Sequence, residues 1–110
     1  MPAAPDRGDL LWLHFDPQSG REQAGRRPAL VVSHGAYNCK VGLALCCPVT
    51  GQAKGYPFEV QVPEGLPVSG VVLSDHIKSV DWKARQAERI CKAPASLVDE
   101  VLARLDALTR

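Results

Sequence analysis

The stretch of the sequence richest in reactive groups is GREQAGRRPALVVS, residues 20–33, where a carboxylate, an amide and two arginines run directly into an apolar segment. Arg27 precedes Pro28, and a residue before proline is pushed towards extended geometry. An arginine held in this way presents a fork of donors that suits a phosphate or a carboxylate. The same guanidinium could instead form an ion pair with Glu22 or Asp16 of the same loop, and the residue types leave both interpretations open.

Two further polar segments adjoin apolar runs, namely TGQAKG at 50–55 and SDHIK at 74–78. A threonine at a strand end often only satisfies nearby backbone, and a lone histidine in a strand is more often structural than catalytic. In a small curled sheet the strand ends converge, which allows these two segments and the first loop to share one rim. The sequence contains neither a glycine-rich phosphate loop nor a serine-nucleophile motif.

Composition and charge exclude several classes of site. The formal net charge is +1, from 13 basic and 12 acidic residues, so any anion-binding surface must be local. The four cysteines show no C-x-x-C spacing and no histidine at zinc-finger distance, which disfavours a metal site. Cys46 and Cys47 lie within the apolar run 41–49, and we expect them to be buried as small hydrophobic side chains.

The apolar pattern predicts one mainly β domain over residues 1–110: a small antiparallel barrel of the SH3-like type, with a C-terminal helix packed on it. The predicted strands are 9–15, 28–33 (covered on both faces, with Pro28 first), 41–49, the alternating run 58–62, 71–80 and a short edge strand at 88–91. The helical stripe comprises Leu97, Val98, Val101, Leu102, Leu105 and Leu108. Its start is predicted either by the capping-box spacing of Ser96 and Asp99 or by Pro94 as the first helical residue.

Targeting signals are not evident in the sequence. The segment MPAAPDRGD lacks the basic and apolar regions of a signal peptide, and no apolar run approaches the ~20 residues of a membrane span. These features favour a cytoplasmic protein with no membrane association.

The segments FDPQSGREQAGRRPALVVS, PVTGQAKGYPFEV and LSDHIKSVDWKAR, in this order, resemble the MazF/PemK family of toxin endoribonucleases, on the MazF side. The family pattern E-Q-x-G-x-R-P is matched by Glu22, Gln23, Gly25, Arg27 and Pro28. The resemblance runs from about residue 8 to the C-terminal helix.

This resemblance implies an SH3-like barrel that forms a homodimer, as the toxin of a type II toxin–antitoxin system. It implies sequence-specific cleavage of single-stranded RNA, above all mRNA, without metal or other cofactor, which inhibits translation and growth. The products carry a 2′,3′-cyclic phosphate and a 5′-hydroxyl. The implied partner is a MazE-like antitoxin whose acidic, disordered tail occupies the RNA groove.

The resemblance also assigns residues. The essential arginine falls on Arg27, the essential threonine on Thr50, and the substrate-facing pair on Glu22 and Gln23; Arg26 falls on a variable position. Because an arginine hardly deprotonates in proteins, we expect Arg27 to act as an electrostatic clamp and Glu22 to accept the 2′ proton.

We therefore predict that Glu22→Gln slows RNA cleavage, because an amide cannot accept the proton that a carboxylate can. The rate constant of a single turnover on a defined transcript measures this. A full rate in the variant would exclude Glu22 as the base.

Substrate contacts are expected from Lys54, Asp75, His76 and Lys78, and two positions depart from the family pattern. His76 stands where the family commonly has glutamine, and Gly51 stands where a small hydroxyl residue is frequent. Since histidine is the side chain that changes charge near neutral pH, we expect RNA binding or cleavage by this chain to depend on pH.

Two alternatives from other classes remain at this stage. One is a non-catalytic toxin of the CcdB type, which shares the architecture and poisons a protein target such as DNA gyrase. The other is an SH3-like binding module that has lost its activity. Incubation with a long single-stranded RNA in EDTA separates them, because only the endoribonuclease cleaves RNA without metal.

Overall fold

A computed structural model describes residues 3–14 and 26–110, and over these residues the chain forms seven strands, two α-helices and one 3₁₀ helix. The strands are β1 (Asp9–His14), β2 (Arg26–Val31), β3 (Ala44–Thr50), β4 (Glu59–Gln61), β5 (Val71–Leu73), β6 (Lys78–Val80) and β7 (Glu88–Lys92). The helices are α1 (Gly35–Val41) and α2 (Ala95–Thr109), and the 3₁₀ helix is Ser74–His76. The mainly β class with a C-terminal helix is confirmed.

All strand pairs are antiparallel, and the strand order is β4-β5-β3-β2-β1-β7 with β6 also paired to β3. Strand β3 pairs with three strands, because β2 lies along one of its edges and β5 and β6 share the other. β6 pairs with its beginning, from Ala44 to Cys46, and β5 pairs with its last residues, Val49 and Thr50. The sheet therefore curls around β3, and the 3₁₀ helix bridges the two pairings.

The central strands are buried on both faces. One cluster of buried residues, which includes Leu10, Leu30 and Cys47, also contains Leu97, Val98 and Val101 of α2. A second cluster on the opposite face is formed by Leu11, Leu13, Ala29, Val31, Ala44, Cys46, Val80 and Trp82. Because neighbouring residues of a strand point to opposite faces, an unbroken apolar run in β2 supplies both clusters, as its sequence predicts.

Helix α2 confirms the predicted apolar stripe over most of its length. Leu97, Val98 and Val101 are buried, whereas Leu108 is 48% exposed, so the packed face ends before the last turn. The predicted capping box is wrong, because no side chain caps the helix and the N-cap residue is Pro94. Pro94 thus lies one residue before the first helical position, where its extended φ and ψ of −63° and 148° fit the N-cap role.

Two strand predictions are corrected. The run 71–80 is two strands, because Ser74 turns inward, fully buried, and starts the 3₁₀ helix. The run 41–49 becomes a strand only at Ala44, since α1 precedes it and ends at Gly42 in the left-handed conformation with φ 81°. In addition, β2 begins at Arg26, so that Pro28 is its third residue and lies opposite Trp12 of β1.

Asn38 of α1 organises a buried polar network. Its side-chain amide donates hydrogen bonds to the carbonyl oxygens of Pro5 (2.7 Å) and Ser33 (3.1 Å). Its side-chain oxygen accepts from the Ser33 hydroxyl (2.5 Å), and its backbone oxygen accepts from the indole N–H of Trp82 (3.1 Å). A single fully buried residue therefore joins the N-terminal segment, the end of β2, α1 and the segment after β6.

Neither helix within residues 3–14 and 26–110 has the length and apolar character needed to cross a membrane.

Candidate active site

The register of β2 and β3 brings Arg27 and Thr50 to one place. The strands are paired antiparallel through Ala29 opposite Pro48. This is the last pair of the ladder, and Arg27 and Thr50 each lie two residues beyond it, Thr50 as the last residue of β3. Directly opposite residues of an antiparallel pair project from the same face of the sheet. Because side chains alternate along a strand, Arg27 shares the face of Ala29 and Thr50 shares the face of Pro48, so the two candidate groups lie on one face at the same end of neighbouring strands.

The two adjacent arginines have different surroundings because they project from opposite faces of β2. Arg26 donates a charge-assisted hydrogen bond from Nη2 to Glu88 Oε1 at 2.6 Å, and its guanidinium carbon lies 5.1 Å from the centre of the Trp12 ring. Arg27 lies opposite Leu13 and is exposed. Its suggested partners in the first loop, Glu22 and Asp16, lie outside the described residues, as does Gln23.

Thr50 is fixed by its neighbours on β5 and in the following loop. Its Oγ1 accepts a hydrogen bond from the backbone N–H of Gln52 at 3.2 Å, which leaves the hydroxyl hydrogen available to donate. Gly70 lies against the Thr50 carbonyl so closely that a Cβ there would be 2.1 Å from the carbonyl oxygen. Gly70 also has a φ of +117°, which side chains rarely adopt. Only glycine allows this close approach behind Thr50.

Lys54 lies in the exposed loop that follows Thr50, and a carboxylate fixes its backbone. The N–H of Lys54 donates to both carboxylate oxygens of Glu59 at 3.1 and 3.0 Å, and the N–H of Gly55 donates to one of them at 2.9 Å. The Lys54 side chain is exposed. The loop thus holds a cation near the end of β3 with its backbone tied to β4.

The third polar segment lies on the other side of β3 from Arg27. Asp75 and His76 belong to the exposed part of the 3₁₀ helix, with the imidazole Nε2 4.0 Å from an Asp75 carboxylate oxygen. Lys78 follows in β6, opposite Cys46. The N–H of Ser74 donates to the Phe58 carbonyl at 3.1 Å, which joins this segment to the end of the Lys54 loop. The second and third polar segments therefore adjoin, with β3 between them and Arg27.

Cys46 and Cys47 are fully buried, as expected for small hydrophobic side chains. Burial raises the pKa of both thiols to about 12, and for Cys47 the negative charge of Asp75 contributes as a smaller cause. Both therefore remain protonated near neutral pH and do not supply a nucleophile. Across the described parts of the chain, no group of three or more His, Cys, Asp or Glu side chains is arranged to hold a metal ion.

Three features of this region were not found from the sequence. They are the Arg26–Glu88–Trp12 contact, the anchoring of the loop by Glu59, and Tyr56, which is 59% exposed. Tyr56 and Glu59 both lie within the segment KGYPFEV that carries the family resemblance. Tyr56 could have been identified from the sequence as an aromatic residue in the polar loop that follows the candidate catalytic Thr50.

Comparisons with known proteins agree with this fold. The family described as PemK-like, MazF-like toxin of type II toxin–antitoxin system matches residues 6–109. The chain is 55% identical over 85 residues to the endoribonuclease toxin MazF of Escherichia coli K12, covering 77% of this chain and 76% of that protein.

Two crystal structures from Deinococcus radiodurans are also similar. MazF superposes with a TM-score of 0.88 at 56% identity, covering 97% of each chain. A MazE–MazF structure superposes with a TM-score of 0.87 at 51% identity, covering 97% of this chain and 96% of that chain. The chain belongs to the PemK-like, MazF-like toxins of type II toxin–antitoxin systems.

Proposed function

We propose that this chain, acting as one domain over residues 1–110, is a toxin endoribonuclease that cleaves single-stranded RNA, with mRNA as its main substrate. The observation that carries the proposal is the β2–β3 pairing, whose ladder ends at Ala29 and Pro48, two residues from the exposed Arg27 on one strand and from Thr50 on the other. The curated relative from Escherichia coli is an endoribonuclease toxin, which supports the same activity. The alternative of a CcdB-like toxin that poisons a protein target is not favoured.

The proposed reaction needs no metal or other cofactor. The 2′-oxygen of the nucleotide before the cleaved bond attacks phosphorus, the 2′ proton passes to a base, and the bond to the 5′-oxygen breaks as that oxygen takes up a proton. The products are a 2′,3′-cyclic phosphate and a 5′-hydroxyl. Negative charge grows on the non-bridging oxygens in the transition state, and we assign its stabilisation to the Arg27 guanidinium and the Thr50 hydroxyl. Glu22 is our proposed base.

The remaining candidate groups have the chemistry to bind a flexible anionic strand. Gln23, Lys54, Asp75, His76 and Lys78 are the proposed substrate-binding residues. Single-stranded RNA is recognised through phosphate contacts together with the exposed edges and faces of its bases. The cations supply the first kind of contact, and the amide, carboxylate and imidazole supply edge contacts.

We also propose a cytoplasmic homodimer that is neutralised by a MazE-like antitoxin with an acidic, disordered tail. The Deinococcus radiodurans MazE–MazF structure supports such a partner. Exposed cations at Arg27 and Lys54 are complementary to an acidic segment. A tail bound there would exclude RNA from the same groups.

The test is incubation of the purified chain with a long single-stranded RNA in EDTA, followed by mapping of the new ends. We expect cleavage at a short recurring sequence, with ends that carry a cyclic phosphate and a 5′-hydroxyl. An Arg27→Ala preparation controls for contaminating ribonuclease. If RNA remains intact, the endoribonuclease proposal fails, and the two non-catalytic alternatives regain support.

His76 is expected to make substrate affinity depend on pH. A protonated imidazole adds a positive charge that attracts the phosphates of the RNA. The Asp75 carboxylate, 4.0 Å away, offsets this charge only in part. We expect KM for a defined oligoribonucleotide to be several-fold lower where the imidazole is protonated. His76→Gln, which restores the commoner residue of the family, should remove this dependence. Identical KM profiles for the two proteins would refute the role of His76.

A further inference from the structure

Tyr56 is the most exposed of the large apolar residues in the described parts of the chain, at 59%. The next most exposed of these are Val41 and Leu108, both at 48%, and these lie at helix ends. Tyr56 instead projects from the loop between Thr50 and β4, beside the exposed Lys54. Single exposed apolar residues are common on protein surfaces. A functional role for Tyr56 must therefore be argued from the residues around it.

The backbone on both sides of Tyr56 is fixed. Before it, the N–H groups of Lys54 and Gly55 donate three hydrogen bonds to the Glu59 carboxylate, from 2.9 to 3.1 Å. Its own carbonyl accepts from the Glu59 N–H at 3.1 Å. After it, the Phe58 carbonyl accepts from the N–H of Ser74 at 3.1 Å. A carboxylate that accepts bonds from two consecutive N–H groups makes charge-assisted contacts, which are stronger than neutral ones.

The loop that carries Tyr56 joins Thr50, the end of β3, to the start of β4. Gln61 of β4 lies opposite Val71 of β5, and Val71 lies opposite Thr50 of β3. Two strand spacings therefore separate Thr50 from Gln61, a distance of about 10 Å. The Phe58–Ser74 bond also sets the loop beside Asp75 and His76. An aromatic side chain is thus exposed on the loop between Thr50 and β4, whose end is bonded to the Ser74–His76 segment, and it is not part of the core.

We propose that Tyr56 is a stacking platform for a base of the RNA close to the cleaved bond, and that Glu59 is the positioning residue that holds it there. This proposal rests on the proposed function. Unpaired bases stack on aromatic side chains in single-stranded nucleic acid recognition, and such contacts tolerate different bases. The tyrosine adds affinity for an unstacked base, while edge contacts elsewhere select its identity.

The experiment measures affinity apart from catalysis. The probe is an oligoribonucleotide around a mapped cleavage site, blocked by a 2′-O-methyl group at the attacking position and carrying 2-aminopurine at one flanking base at a time. Tyr56→Ala should weaken binding about tenfold or more and abolish the quenching of 2-aminopurine at one position. Tyr56→Phe keeps the aromatic face and should retain both. On unblocked RNA we expect Tyr56→Ala to raise KM with little change in kcat.

Glu59 is tested in the same assay. Glu59→Ala removes the acceptor of three N–H bonds and should reproduce the loss of affinity, whereas Glu59→Gln keeps one acceptor oxygen and should restore part of it. A loss of folded protein would lower the apparent kcat and leave KM unchanged, so the KM change separates positioning from stability. Unchanged affinity and quenching in Tyr56→Ala would overturn the proposal. Failure of the proposed function would instead show as intact RNA with the unsubstituted chain.

Discussion

Arg27→Ala is expected to lower kcat for RNA cleavage by about 10²–10³-fold, the usual cost of removing one donor aimed at charge that develops in the transition state. The exposed guanidinium on β2 faces the same side of the sheet as Thr50, and no other part of β2 offers a cation on that face. Single-turnover cleavage of a defined RNA at saturating enzyme measures the loss. Arg27→Lys should recover only part of the rate, because an ammonium cannot form the planar two-point contact with a phosphate.

Arg26→Ala is the matched control, since it removes the same charge one residue away. Its guanidinium is occupied by Glu88 and Trp12 on the opposite face, so we expect kcat within about threefold of the unsubstituted protein. The ion pair is largely exposed, and its loss should cost less than about 1 kcal/mol of stability. Equal losses of activity in Arg26→Ala and Arg27→Ala would mean that net charge, rather than the placed guanidinium, governs cleavage.

Asn38→Leu is expected to lower the free energy of unfolding by about 3 kcal/mol or more, the largest stability effect we predict. The leucine is similar in size but removes the Asn38 partner of the carbonyl oxygens of Pro5 and Ser33 and the acceptor of the Ser33 O–H, which keeps only the bond that it accepts from Leu45. Each buried polar group left unsatisfied costs about 1–3 kcal/mol. The bond from Trp82 survives, because it goes to the backbone. Urea unfolding followed by circular dichroism measures the change.

Cys39→Ser on the same short helix is the control for the Asn38 network. Cys39 is exposed, and surface substitutions of this kind usually change stability by less than about 0.5 kcal/mol. Ser33→Ala should fall between the two variants, because it removes one hydroxyl that both donates to Asn38 and accepts from the N–H of Leu45. Asn38→Leu unfolding at the same urea concentration as Cys39→Ser would show that the network does not stabilise the fold.

The strand predictions succeeded because the alternation of apolar and polar residues that marks a strand is visible within a few neighbouring positions. Val60 is buried between the less buried Glu59 and Gln61, and this alternation is visible in the sequence. Helix α2 is long enough for its apolar stripe to repeat, whereas the seven residues of α1 are too few to show a helical period. The break at Ser74 was missed because the polar segment SDHIK has apolar residues on both sides, and the whole run was assigned to one strand.

Sequence alone determined the chemical groups and much of their local geometry. It gave an arginine held extended by Pro28, a threonine at the end of an apolar run, and central strands covered on both faces. Only the tertiary structure decided which groups meet. The pairing of β2 with β3 brings Arg27 and Thr50 to the same end and face of neighbouring strands, and the alternation of β2 assigns Arg26 to Glu88 and Trp12 on the other face.

The physical reason is that register is a non-local property. A shift of one residue would turn every buried side chain of a strand to the wrong face, so both apolar clusters together select the pairing. No short stretch of the chain contains that information. The stretch GREQAGRRPALVVS shows that Arg27 is an extended arginine that suits a phosphate. The packing of β2 against β3 decides that Arg27, rather than Arg26, shares a face with Thr50.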